Sequence, residues 1–506
     1  MLTPQDRIVA ARLRQELLRA EFTADGVLGL VGAQAYSALS REEFVPARRA
    51  LVGVTGVLAD VVRLFVLDEV LEITALAPDF PLADVRSLGL VEGVEQVHAV
   101  VDVRPYGEPD TDWYVVSDHS AGRGAVAKDE VDADHVLGVG GASLTLARIT
   151  PRTAVTRALD IGTGCGVQAL HLSRHSDEVV ATDNNMRALR CAALSAALSG
   201  FEWDVRHGSF LEPVAGESFD LIVSNPPFVI SPGHRYTYRD AGYPADELGR
   251  ELVAQLPHYL NDQGVAVLLA NWLHVDGQDW RDRVTQWVAD NGCSAWIAQR
   301  EVQDPTEYVG LWLRDAGHAG SDQDRRYNDW LDALESWGTQ AIGFGWIVLT
   351  KTDRPWVHVE DVSSAYRLPR GDEVVDALKA LADLENTDAF TMLERRLAVA
   401  PGVVVRSQER YSLDQRYSQD QQSSQDHQWA SGPTMLSRPD GWRQDQFLDL
   451  VTRELIAHCD GQSTVAEVID RTAAQLSMDE GDVLAIGLLR LRELIAEGFL
   501  LIKFDT

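Results

Sequence analysis

From Gln5 to about Leu90, apolar residues recur three and four positions apart. ARLRQELLRAEF, GVLGLVGAQAYSAL, EEFVPARRALVG and LADVVRLFVLDEVL each predict a helix on that spacing. VHAVVDVRPYG and DWYVVSDH, on either side of a Gly-Glu-Pro-Asp turn, predict two strands. Residues 1–120 therefore read as a mostly helical α+β module, for substrate recognition or for a purely structural role. Ala121–Val136 (AGRGAVAKDEVDADHV) is small, polar and charged, which predicts a linker, and the glycine-dense Leu137–Thr150 follows it.

The pattern then changes to short continuous apolar runs, each stopped by glycine or polar residues and alternating with helical spacing. The runs are RALDIG, EVVATDNN, FDLIVSNPP and GVAVLLANWL, and the intervening helices VQALHLSRH and MRALRCAALSAALSG. Such alternation predicts an α/β fold with a largely parallel sheet buried on both faces. After the Trp-containing helix DWRDRVTQWVADNG, SAWIAQREV and EYVGLWLRD predict a closing pair of strands. AGHAGSDQDRRYNDWLDALESWGTQ predicts a linker and an inserted helix near 320–340 before the strand IGFGWIVLTKT. A further domain is expected over 379–506. Its polar stretch 405–430 predicts an exposed loop, and helices followed by an apolar strand are expected at its end.

Candidate chemistry clusters between Arg157 and Phe228. Gly162, Gly164 and Gly166 alternate two residues beyond Asp160, where a strand must turn sharply into a helix. Glycine is needed where φ is positive or where a ligand approaches closer than a Cβ allows. The dinucleotide fingerprint spaces its glycines G-x-G-x-x-G to seat a pyrophosphate. Here the spacing is G-x-G-x-G with an upstream acid, which would repel a pyrophosphate and suits a ligand bearing an ammonium and a sulfonium. Taken alone, the glycines also fit a plain strand-to-helix turn.

Asp183 ends the second apolar run, where such sheets hold ribose hydroxyls, although a helix-capping acid would occupy the same place. Asn225-Pro226-Pro227-Phe228 ends the run FDLIVS. Two prolines cannot continue a ladder, so they predict a stiff loop at the strand's carboxyl end, the edge at which open α/β sheets bind ligands.

These motifs resemble the class I S-adenosylmethionine-dependent methyltransferases that carry [ND]-P-P-[FYW]. The likeness covers roughly Val136 to Arg314. It is nearest to the eukaryotic and archaeal relatives of the HemK/PrmC glutamine methyltransferases, whose motif continues like VISP here and whose later Gly-Arg-Glu patch resembles AGYPADELGRE. Ribosomal RNA guanine methyltransferases share NPPF.

The resemblance implies a Rossmann-like, seven-stranded sheet and S-adenosylmethionine held by Asp160, Gly162, Thr163, Gly164, Gly166, Asp183, Asn184, Ser209, Phe210 and Asn225. It implies chemistry at Asn225, Pro226, Pro227 and Phe228, with no metal required. Arg235, Tyr236, Tyr238 and Arg239, in the loop after the motif, become candidate substrate contacts. The family's adenine-contacting acid is missing where Ser209 and Phe210 stand, so backbone and Phe210 are expected to hold the adenine. The end of the chain looks like the small winged-helix domains resembling PqqD.

Length and charge bound the rest. At 506 residues the chain holds two to four domains, and a formal charge of −32 disfavours broad contact with nucleic-acid backbones without excluding a local basic patch. Cys165, Cys191, Cys293 and Cys459 are scattered, with neither zinc nor disulfide spacing. No signal-peptide core or membrane-length apolar run is present, which predicts a cytoplasmic protein. The expected function is methyl transfer to a planar nitrogen: a glutamine in a translation-related protein, or a base amino group in ribosomal or transfer RNA. A non-catalytic S-adenosylmethionine-binding regulator is the alternative from another class, and small-molecule N-methylation a third.

Overall fold

The computed structural model describes residues 2–107, 111–119, 134–232, 243–289, 291–315, 323–412 and 428–503. The chain forms two compact units, 1–360 and 361–506.

The first unit is built on an eight-stranded sheet. Its strands are β1 (Val155–Ile161), β2 (Ser176–Asp183), β3 (Asp204–His207), β4 (Phe219–Ser224), β5 (Leu260–Val275), β6 (Cys293–Gln303), β7 (Thr339–Lys351) and β8 (Val357–Asp361). They lie in the order β8-β6-β7-β5-β4-β1-β2-β3. From β3 to β5 neighbours are parallel, while β7 runs antiparallel to both β5 and β6. It is a doubly wound, mostly parallel α/β sheet of the kind expected, with eight strands rather than seven. Strand order reverses between β1 and β4, the switch point at which such sheets open a crevice.

The α-helices of residues 134–360 are α1 (Gly141–Ile149), α2 (Val167–Leu172), α3 (Met186–Ser199), α4 (Glu247–Gln255), α5 (Trp280–Val288), α6 (Pro305–Asp315) and α7 (Gln323–Ser336). One core cluster joins Leu159, Phe219, Ile222, Leu268 and Ile347 of the sheet to Leu252 of α4 and Trp287 of α5.

Two expectations about this unit need correction. EYVGLWLRD is helical, forming most of α6, and the antiparallel closing pair is β6 with β7. Tyr308, Val309 and Leu313 are buried on one side of that helix, against Val229, Ile230 and Ile342. The N-terminal segment is not set apart from the sheet. The strand pair Asp102–Tyr106 and Trp113–Ser117 docks on α3, where the Ser199 and Ser195 hydroxyls accept the Tyr114 and Val116 N–H groups, each at 2.9 Å. Small residues along α3 permit that approach, so the helix is buried on two sides rather than one.

The second unit begins ahead of Lys379, which lies inside the helix Gly371–Glu385. Its expected exposed loop is in part a strand pair: Val404–Ser412 runs antiparallel to Gln428–Ser437, and residues 413–427 lie outside the described residues. Strand pairing needs backbone hydrogen bonds but no apolar run, so polar composition does not exclude it. The unit ends on helices Val465–Leu476 and Glu480–Ala496 and strand Leu500–Lys503, the latter paired with Arg396–Val399. Among the described residues no helix is long and apolar enough to cross a membrane.

Candidate functional site

A cavity of about 360 Å³ opens at the carboxyl ends of β1, β2 and β4. That is within the range of small-molecule sites, roughly 300–1,000 Å³. The glycine loop forms its floor. Gly162, Gly164 and Gly166 all have positive φ, at 70°, 55° and 86°. A Cβ at Gly162 or Gly164 would meet no protein atom within 4 Å, so these positions keep backbone bare beside the cavity. Gly166 serves a different purpose. It does not line the cavity, and a Cβ there would come within 2.7 Å of the Trp203 ring, so its smallness lets α2 pack.

Asp160 lies beneath this loop, 1% exposed. Its Oδ2 accepts the Thr163 hydroxyl at 2.7 Å and the Ala169 N–H at 3.2 Å, which ties β1 to the loop and the first turn of α2. Its Oδ1 is buried with no hydrogen-bond partner. Burial pushes the carboxyl up to about 7, against the opposing pull of those two hydrogen bonds. A cationic ligand above the loop would reverse that shift.

At the end of β2, Asp183 accepts the Gly164 N–H at 3.0 Å through Oδ2 and the Asn185 N–H at 2.9 Å through Oδ1. Burial raises its pKa above the usual carboxylate range. It lines the cavity with Asn184 and Asn185. Asn185 caps α3 through the Arg187 N–H and donates from Nδ2 to the Asp134 carbonyl at 2.7 Å.

Residues read as linker thereby become cavity wall. His135, Val136 and Leu137 all line it, held by a two-way pairing in which Asp118 N–H donates to the Val136 carbonyl and Val136 N–H to Asp118 Oδ2. The glycine-dense entry contributes Gly138, Gly140 and Gly141. Phe210 lines the cavity with φ +44°, its carbonyl accepting the Thr182 hydroxyl at 3.2 Å. Ser209 does not line it; its N–H turns to Glu212 Oε2 at 3.2 Å. Cys165 does line it, but burial pushes its thiol up to about 12, which makes it an apolar wall rather than a nucleophile.

At the end of β4 the Ser224 hydroxyl donates to the Ile161 carbonyl at 3.1 Å, locking the two strand ends together. Asn225, Pro226, Pro227 and Phe228 follow, and all four line the cavity. Asn225 Oδ1 is buried and unpartnered. Trp312 of α6 completes this wall, a residue hidden from sequence reasoning by the strand assignment. The signal for a helix was present: Asp304 accepts the Thr306 and Glu307 N–H groups ahead of Pro305, a capping acid before a first-turn proline. Arg235, Tyr236, Tyr238 and Arg239 lie outside the described residues.

Residues 127–275 match the methyltransferase small domain. That segment holds the glycine loop, Asp183 and the NPPF corner. Residues 19–103 match a domain of unknown function, DUF7059.

The chain is 38% identical over 130 residues to the release factor glutamine methyltransferase of Xylella fastidiosa, covering 23% of this chain and 47% of that one. It is 30% identical over 115 residues to ribosomal RNA small subunit methyltransferase C of Alcanivorax borkumensis, covering 23% and 32%. Over 198 residues it is 27% identical to the same-named enzyme of Salmonella arizonae, covering 38% and 52%. The chain thus spans about half the length of these relatives, or less.

Proposed function

We propose that the protein is an S-adenosylmethionine-dependent N-methyltransferase acting on a planar nitrogen of a macromolecule, and that its acceptor is a glutamine amide in a translation-related protein. The observation that carries this reading is Asn225 Oδ1, a buried acceptor without a donor on the wall shared with the glycine loop and Asp183. A buried amide oxygen left unpaired costs about 1–3 kcal/mol, which a ligand N–H would recover.

The chemistry needs such an acceptor. An amide or exocyclic amino nitrogen has a delocalised lone pair and is a poor nucleophile. Asn225 Oδ1 and the Pro226 carbonyl would each take one of its N–H groups, orienting the nitrogen and favouring its pyramidal form as charge develops. Pro226 and Pro227 fix φ, so the two acceptors keep their spacing. Phe228 offers an aromatic face to the acceptor plane.

S-adenosylmethionine, when bound, supplies an electrophilic methyl group on a sulfonium. Gly162, Thr163, Gly164, Asp183, Asn184 and Phe210 would hold it. The unpartnered Asp160 Oδ1 and the bare Gly162 and Gly164 backbone fit a cationic ligand pressed against the loop.

Asp160 makes the fit measurable. Its raised folded pKa means that a stabilising contribution, full below the ordinary carboxylate range, is lost as pH rises through about 7 in the ligand-free protein. A cation above the loop pulls that pKa down, so S-adenosylmethionine binding at pH 6.5 should release a proton. Calorimetric titration in buffers of different ionisation enthalpy reads this release directly. Asp160→Asn should abolish it, and wild-type binding with no proton release would contradict the assignment.

The strongly acidic chain and the glutamine-modifying relative favour a protein acceptor over RNA. The helix–helix–strand end of the second unit suits a winged-helix-like recognition domain and the N-terminal segment a second one, in a cytoplasmic enzyme. Incubation with methyl-labelled S-adenosylmethionine and cell extract tests the acceptor. Label that is lost with protease and survives ribonuclease is expected; the reverse assigns RNA. S-adenosylmethionine binding without label in any fraction would leave a non-catalytic binding protein.

A further inference from the structure

We infer that Tyr308 and Trp330 are positioning residues of the acceptor site, which they set by gripping both backbone groups of Ile230, two residues beyond Phe228. The inference rests on the proposed role of Asn225–Phe228 and assigns a task to the helical insertion α6–α7, which the sheet itself does not require.

Ile230 is 2% exposed and follows a segment whose paired prolines cannot continue the β4 ladder. Buried backbone groups must nevertheless find partners. The Ile230 N–H donates to the Tyr308 hydroxyl at 2.7 Å, and the Ile230 carbonyl accepts the Trp330 indole N–H at 2.8 Å. Neither partner is backbone. Each comes from a different helix of the insertion, and both side chains are buried, at 0% and 5% exposure. Aromatic residues with one polar tip suit this task, since the ring packs in an apolar cluster while the tip holds a main-chain group.

The grip sits where a small rotation would be transmitted. Between Asn225 and Ile230, two of the intervening residues have φ fixed by proline rings, which leaves fewer torsions to absorb a turn of the Ile230 peptide before it reaches the Asn225 and Pro226 oxygens. The second anchor is Ser224, whose hydroxyl bonds the Ile161 carbonyl. The motif is therefore pinned at both ends, by β1 before it and by the insertion after it.

Tyr308 also connects onward. Asn271 Nδ2 of β5 lies 3.5 Å from its hydroxyl, and its ring centroid is 6.1 Å from that of Trp312, one turn along α6, which lines the cavity. One helix thus carries both the clamp on the motif and part of the wall beside Phe228.

Tyr308→Phe removes the polar tip and keeps the ring, whereas Trp330→Phe removes the indole N–H and keeps a smaller aromatic ring; both variants should fold. In each, hydrogen exchange of the peptide containing Ile230 should accelerate in the ligand-free protein. Methyl transfer to the labelled extract fraction should fall about tenfold or more, while the S-adenosylmethionine dissociation constant stays within about twofold. Because the clamp acts in part through Asn225, Tyr308→Phe combined with Asn225→Ala should lose less than the product of the two single losses.

Unchanged exchange at Ile230, transfer within about twofold of wild type in both variants, or losses that multiply in the double variant would each overturn the inference. So would a parallel loss of cofactor affinity, which marks a general structural role. If the wild type labels no fraction at all, it is the proposed activity that fails, and the exchange measurement still decides whether the grip exists.

Discussion

Asn225→Ala is expected to lower methyl transfer about 10²–10³-fold while changing the affinity for S-adenosylmethionine by no more than about twofold. The separation follows from geometry. The glycine loop and Asp183 come from β1 and β2, whereas Asn225 follows β4, and its buried Oδ1 has no protein partner to lose. Removing it therefore leaves the fold without a new unsatisfied group. It deletes an oriented acceptor that matters as the nitrogen sheds its amide resonance. Asn225→Asp keeps an acceptor oxygen and should retain part of the rate. The measurement is initial rate at saturating cofactor, alongside calorimetric binding. A collapse of cofactor affinity in Asn225→Ala would reverse this division of roles.

Asp183→Ala should do the opposite, raising the cofactor dissociation constant about 10–100-fold, equivalent to roughly 1.4–2.7 kcal/mol, with the rate at saturation largely preserved. Two losses combine. The carboxylate ties the Gly164 and Asn185 N–H groups to the end of β2, so the loop that shapes the cavity floor loosens. The remaining acceptor capacity of its oxygens, suited to a ribose hydroxyl, disappears as well. Asp183→Asn should fall between, because its amide group must oppose a backbone donor. Unchanged binding in Asp183→Ala would remove the ribose assignment.

The parts of the site that were legible in sequence are those where one residue type answers one local constraint. A buried parallel strand reads as a continuous apolar run, and each of β1, β2 and β4 ends abruptly at a residue that cannot continue it. Those stops locate the crevice. Phe210, Asn184 and Thr163 were expected at the cavity and line it. Asp160, Gly166 and Ser209 were expected there and do not line it; the acid is buried beneath the loop, the glycine answers a helix-packing contact with Trp203, and the serine turns to Glu212.

What was hidden depends on tertiary contact. Val309, Leu311 and Leu313 alternate as in a strand, while Tyr308 with Trp312 and Val309 with Leu313 have helical spacing. Packing against Ile230 and Ile342 selects the helix. His135 and Val136 looked like linker because no local pattern announces a wall built by pairing with Asp118. The two-way hydrogen bonding of Ile230 is likewise invisible in sequence, since its partners lie 78 and 100 residues away.

Mapping the methylated atom in the labelled macromolecule by tandem mass spectrometry tests the role of the Asn225–Pro226 corner most directly. The methyl group should sit on an amide or exocyclic amino nitrogen, one that carries two N–H bonds before transfer. A methyl group on carbon, on a carboxylate oxygen or on sulfur would contradict it, because none of those centres has the pair of donors that this corner is built to receive.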